Sequence, residues 1–110
     1  KAIASATMAR HEALLKQRQI EAQTASAVVM AKGSFESLQI ANEGATAMQE
    51  NAALTQRAYA LGEADLQTML TARRQATAAN NTALQARAAA LKAYYGLLID
   101  AHLIWDLEHP

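Results

Sequence analysis

Arg57-Ala58-Tyr59-Ala60-Leu61-Gly62-Glu63-Ala64-Asp65-Leu66-Gln67-Thr68-Met69-Leu70 holds the one strong break in a chain that otherwise reads as helix. Alanine, leucine and tyrosine run up to Gly62, the acids Glu63 and Asp65 follow, and an apolar-periodic run starts at Leu66. A glycine just past a helix takes the left-handed conformation that closes it without a Cβ clash. An Asp immediately before an apolar run accepts a hydrogen bond from the free N–H groups of a new helix. The stretch therefore reads as a helix stop followed by a helix start, where the chain folds back. The expected fold is all-α, a long antiparallel helical hairpin of coiled-coil character, with helices over about 2–61 and about 66–107.

Working outward, the first arm carries two apolar lines. Val28, Ala31, Phe35, Leu38, Ala45, Ala52 and Tyr59 share one heptad seam. Ile40, Ala47, Leu54 and Leu61 repeat every seven residues on a line roughly 160° away. A helix in a two-helix hairpin needs one seam, so two seams imply a neighbour on each side. Residues 1–23 are more polar, and Lys32-Gly33-Ser34 is where a kink or a fray would fall, although the apolar spacing carries through and reads as one helix. In the second arm Leu70, Thr77, Leu84, Leu91, Leu98 and Trp105 repeat every seven residues. Met69, Ala76, Ala83, Ala90, Leu97 and Ile104 run beside them, and Ala72, Ala79, Ala86 and Ala93 form a third line. Arg73, Asn80 and Arg87 make a polar line expected to face water. The stretch from Tyr94 to Trp105 is apolar and aromatic enough to expect burial in something larger than a hairpin. Folded back at Gly62, about 30 Å of the first arm would have no partner within the chain.

Composition narrows the functional classes. Alanine is roughly a quarter of the 110 residues, with one Phe and one Trp, which is long-helix or coiled-coil composition. Ten basic and ten acidic residues give no net charge. That argues against a nucleic-acid binder and against a basic membrane-surface helix. The absence of cysteine removes disulfides, thiolate chemistry and cysteine-ligated zinc. No apolar run is long enough for a membrane span. The chain opens in mid-pattern at Lys1, so it is expected to be a piece of a longer protein.

No pattern for catalysis or for a cofactor emerges. There is no Gly-rich phosphate loop, no nucleophile elbow and no Glu-x-x-His pair for a di-iron site. His102, Asp106 and His109 fall at i, i+4 and i+7, a spacing able to hold a divalent metal, but a polar face at a chain end explains them as well. His11 stands alone and is expected to be solvated. The expectation is a protein that is not an enzyme, has no cofactor and has no metal site.

Tyr59-x-x-Gly62-Glu63-x-x-Leu66-x-x-Met69-Leu70-x-Ala72, followed by a long Ala/Leu heptad ending in Tyr94-Tyr95 and Leu97-Leu98, resembles the TolC-type outer-membrane efflux proteins. The form Gly62-Glu63-x-Asp65-Leu66 is most similar to the heavy-metal efflux branch, the CzcC- and CusC-like proteins. The motif is specific from about Arg57 to Leu107. The resemblance implies a homotrimeric parent, with a β-barrel in the bacterial outer membrane and an α-helical barrel in the periplasm. This chain would supply a segment of that periplasmic tunnel, a passive conduit, with heavy-metal ions as the cargo of the branch. Its tip, with Tyr59, Leu61, Gly62, Glu63 and Asp65, would dock the periplasmic adaptor protein of a tripartite pump whose inner-membrane partner supplies the energy. Thr68 and Thr71 stand where family members carry aperture carboxylates. With Arg73 they are the aperture and lumen candidates, and Glu63 or Asp65 is left to supply acidic charge. Cut from its neighbours, the segment is expected to self-associate. The alternative is a free-standing coiled-coil module, an adaptor hairpin or a signalling bundle. A third class, a metal-buffering bundle, rests on His102, Asp106 and His109 alone.

Overall fold

A computed structural model describes residues 1–109, with the backbone alone at Ile104. Pro110 and the Ile104 side chain, the last member of one expected line, lie outside the described residues. The chain is all-α: α1 spans Ala2–Ala60 and α2 spans Leu66–Glu108. No strand occurs among the described residues. Among the described residues no helix is long and apolar enough to cross a membrane. Helix formers dominate both elements, and α1 runs unbroken through Gly33 and Gly44. Each of those glycines costs about 1 kcal/mol relative to alanine, which the length of favourable sequence on either side outweighs. Threonines within the helices, such as Thr55 and Thr77, donate their hydroxyls to the carbonyls of Asn51 and Arg73 four residues back. Those hydroxyls are thereby satisfied without any tertiary partner.

The chain divides into two compact units. One is Gly33–Lys92, and the other joins Lys1–Lys32 with Ala93–Pro110. The first is an antiparallel helical hairpin. Along its α2 strip the covered side chains are Met69, Ala72, Ala76, Ala79, Ala83, Ala86 and Ala90, alternating by three and four residues. On α1 the covered strip is Ser34, Leu38, Ala41, Ala45, Ala52, Thr55 and Ala58. With only two helices in the unit, each strip is covered by the other. The seam is thus built from the alanine lines; of the leucine line of α2 in this unit, Leu70 is partly covered, whereas Leu91 is exposed and Leu84 is 63% exposed, against 1% for Ala90. Small residues let two helix axes approach at the short end of the usual range. The stabilisation per position is modest, about 0.8 kcal/mol for each buried methyl-sized group.

Asn80 departs from the expected polar line facing water. It is partly covered, and its Oδ1 accepts a 2.6 Å hydrogen bond from Gln49 Nε2 across the hairpin. Arg73 and Arg87, its companions on that line, are exposed.

In the second unit the first covered residue of α1 is Ile20, followed by Thr24, Ala27 and Ala31. Residues 1–19 are exposed along their whole length, in keeping with the unequal arms. On α2 the partly covered positions are Ala93, Gly96, Leu97 and Asp100. Tyr95, Leu98, Ile99, Leu103, Trp105 and Leu107 are all exposed, so this unit does not bury the aromatic stretch.

Candidate functional site: the turn and its flanking groove

The turn is built by two reciprocal caps. Gly62 has φ 76°, the left-handed conformation. Its N–H donates to the Tyr59 carbonyl at 3.1 Å, and the Glu63 N–H donates to the Ala58 carbonyl at 2.8 Å. These are the two bonds of a Schellman closure, which satisfies carbonyls that the end of α1 would leave free. Three residues on, Asp65 Oδ1 accepts the Thr68 N–H at 2.8 Å. Asp65 is therefore the N-cap of α2, as its position before Leu66 predicts. The Thr68 hydroxyl first, then its amide, favour the ionised carboxylate and hold the Asp65 pKa below its ordinary value.

Two predictions arise from these caps. A Cβ built on Gly62 meets nothing within 4 Å, so the cost of Gly62→Ala is conformational alone. That cost is about 1 kcal/mol, read as a lowered urea midpoint with unchanged slope. For Asp65, the folded pKa lies below the unfolded one. Its contribution to stability is therefore fully present above the unfolded value of about 3.9 and is lost as pH falls through the lower folded value. Asp65→Asn keeps a capping oxygen and is expected to flatten that acid dependence while leaving the neutral-pH melting temperature nearly unchanged. Asp65→Ala is expected to lower the melting temperature as well.

The tip presents side chains to solvent. Leu61 is 73% exposed and Tyr59 is 41% exposed, an apolar pair beside the acids Glu63 and Asp65. Of the lumen candidates, Thr68 and Thr71 come together in one groove with Asn51, Thr55, Gln67 and Gln75. The groove carries amides and hydroxyls and no charged side chain. Arg73 is exposed and does not line it. Sequence reading missed the groove's amides. The signal was there, since Gln67, Thr71 and Gln75 fall at i, i+4 and i+8 and so share one helix face. Thr68, which stands where the resemblance puts an aperture carboxylate, has a structural task as the donor to Asp65.

His102, Asp106 and His109 are not assembled into a ligand set. His102 Nε2 lies 3.5 Å from Asp106 Oδ2, both well exposed. The His109 ring instead stacks on Trp105, with centroids 3.8 Å apart and planes 17° from parallel. Among the described residues no three His, Cys, Asp or Glu side chains are grouped to hold a metal ion.

No family model matches the chain, and no curated protein or solved structure matches it either.

Proposed function

We infer that this chain is a stave segment of a periplasmic helical tunnel, a non-catalytic conduit belonging to an outer-membrane channel of the TolC type. The observation that carries the reading is the second apolar line. The hairpin closes on its alanine seam and leaves Leu84 and Leu91 of α2 exposed, together with Ile40, Leu54 and Leu61 of α1; in the other unit Leu98 and Trp105 of α2 are exposed as well. A free-standing two-helix module gains nothing from leucine every seven residues on its outer side, whereas a barrel stave has a neighbour on each flank. The cap geometry supports the second half of the reading. A rigid turn bearing an exposed Leu61 and Tyr59 between acids suits the docking of an adaptor protein. An inner-membrane pump would supply the energy, and heavy-metal ions are the cargo suggested by the Gly62-Glu63-x-Asp65-Leu66 form.

The test is the double variant Leu84→Glu, Leu91→Glu in the native full-length protein. Both side chains are exposed in the hairpin, so the hairpin itself is expected to form. The oligomer is expected to be lost on native gels, and resistance to the exported metal with it. An intact oligomer with normal resistance contradicts the stave reading.

A further inference from the structure

We propose that the hydrogen bond between Gln49 and Asn80 is a register pin: it holds α1 and α2 against sliding along their alanine seam, so that the turn moves as one body with the hairpin. Both residues lie in the unit Gly33–Lys92. The pin goes beyond the tunnel reading and stands whether or not the chain belongs to a tunnel.

The seam itself does little to fix the register. The strip of α2 offers Ala72, Ala76, Ala79, Ala83, Ala86 and Ala90 to α1. Displacing α2 by one heptad toward the turn sets Ala79 where Ala72 was, Ala83 where Ala76 was and Ala90 where Ala83 was. The same methyl groups then meet α1 in the new place. Side chains of different sizes interlock in one arrangement, whereas a uniform strip singles out none.

The polar contact does discriminate. Gln49 Nε2 donates to Asn80 Oδ1 at 2.6 Å across the hairpin. Among the described residues of this unit, no other side-chain hydrogen bond and no ion pair joins the two helices. Asn80 is partly covered, whereas Arg73 and Arg87, seven residues to either side, are exposed. The displacement described above ends the amide pair and puts Arg87 in the partly covered place of Asn80. One polar pair in an otherwise apolar helical seam is a well-attested means of fixing register. This pair stands about 20 Å along the helix from the turn. Gly62 and Asp65 hold the chain at the turn, and Gln49 and Asn80 hold it above. With both ends of the segment fixed, a load on Tyr59 or Leu61 passes into both helices together.

The experiment traps the register of the whole 110-residue chain with introduced cysteines, since the chain has none of its own. Measured from the Gln49–Asn80 pair at 1.5 Å per residue, positions 45 and 83 stand within about 2 Å of the same height, and positions 52 and 83 about 9 Å apart. Ala45→Cys with Ala83→Cys therefore reports the native register, and Ala52→Cys with Ala83→Cys the register displaced by one heptad. A disulfide needs Cβ atoms about 3.5–4.5 Å apart, so the second pair closes only when the helices slide. When Gln49→Ala and Asn80→Ala are added, the rate of the second closure relative to the first is expected to rise about fivefold, the factor that one hydrogen bond supplies. The exchanged pair Gln49→Asn, Asn80→Gln keeps one amide on each helix and is expected to return the ratio to its original value. The ratio separates a pin from a merely stabilising contact, because a general loosening speeds both closures alike. Circular dichroism checks that helicity is kept. A ratio unchanged by the two alanines overturns the proposal, as does an exchanged pair that slides as freely as the alanine variant.

Discussion

Ala90→Leu is expected to destabilise the hairpin far more than Leu84→Ala, although the first adds apolar surface and the second removes it. Ala90 is 1% exposed on a seam of alanines, with no room for a larger side chain unless the helices move apart. Overpacking of that kind costs about 1–3 kcal/mol. Separating the axes at one position also uncovers Ala86 and Ala83 on the same strip, so the upper part of that range is expected. A domain with only a few kcal/mol of stability loses most of its folded population to such a change. The double variant Ala76→Leu, Ala90→Leu is expected to lack a cooperative thermal transition. Leu84 is 63% exposed, so its truncation is expected to move stability by no more than about 0.5 kcal/mol in the isolated chain. Thermal unfolding followed by circular dichroism compares the two directly. A stable Ala90→Leu chain beside a destabilised Leu84→Ala chain means that the leucines, not the alanines, hold the helices together.

On the tunnel reading proposed above, Leu61→Glu in the native full-length protein is expected to abolish efflux while the proposed trimer still assembles. Leu61 is 73% exposed at the turn, so a charged replacement leaves the hairpin intact. It also adds a third acid beside Glu63 and Asp65 at the point where an apolar partner surface would sit. Burying an unpaired carboxylate in such a contact costs several kcal/mol, which is a loss of a thousandfold or more in affinity for the adaptor. Leu61→Met, which conserves volume and apolarity, is expected to keep transport. Resistance that survives Leu61→Glu, with the protein present at normal levels, counts against docking at the tip.

The turn was legible in the sequence because its chemistry is local. Gly62 and Asp65 each do what a glycine after a helix and an aspartate before one do, within five residues of chain. Helix extents followed from the same local rules, within one residue at each end. The seam was harder to read. Leucine every seven residues is the louder periodicity, and the structure covers the quieter one, since the choice depends on how closely two backbones approach and on what stands on the other flank. Asn80 was assigned to water for the same reason: its bond to Gln49 joins residues far apart in sequence. Of the tip candidates, Tyr59 stands in the last turn of α1 and Leu61 and Glu63 on the turn itself, all exposed, whereas Arg73 is exposed outside the groove that Thr68 and Thr71 line. The helical angle between positions 71 and 73 already sets them apart. At the end of α2 the His109 N–H still bonds the Trp105 carbonyl, and the His109 ring stacks on Trp105.

The most direct measurement of the tunnel reading is in-cell photo-cross-linking from position 61. A photoreactive amino acid replaces Leu61 in the native full-length protein, and the products are identified by mass after irradiation of intact cells. A cross-link to a periplasmic adaptor protein, lost when the pump's genes are removed, is the predicted result. Cross-links confined to cytoplasmic proteins, or none from a protein that is present and folded, would contradict it.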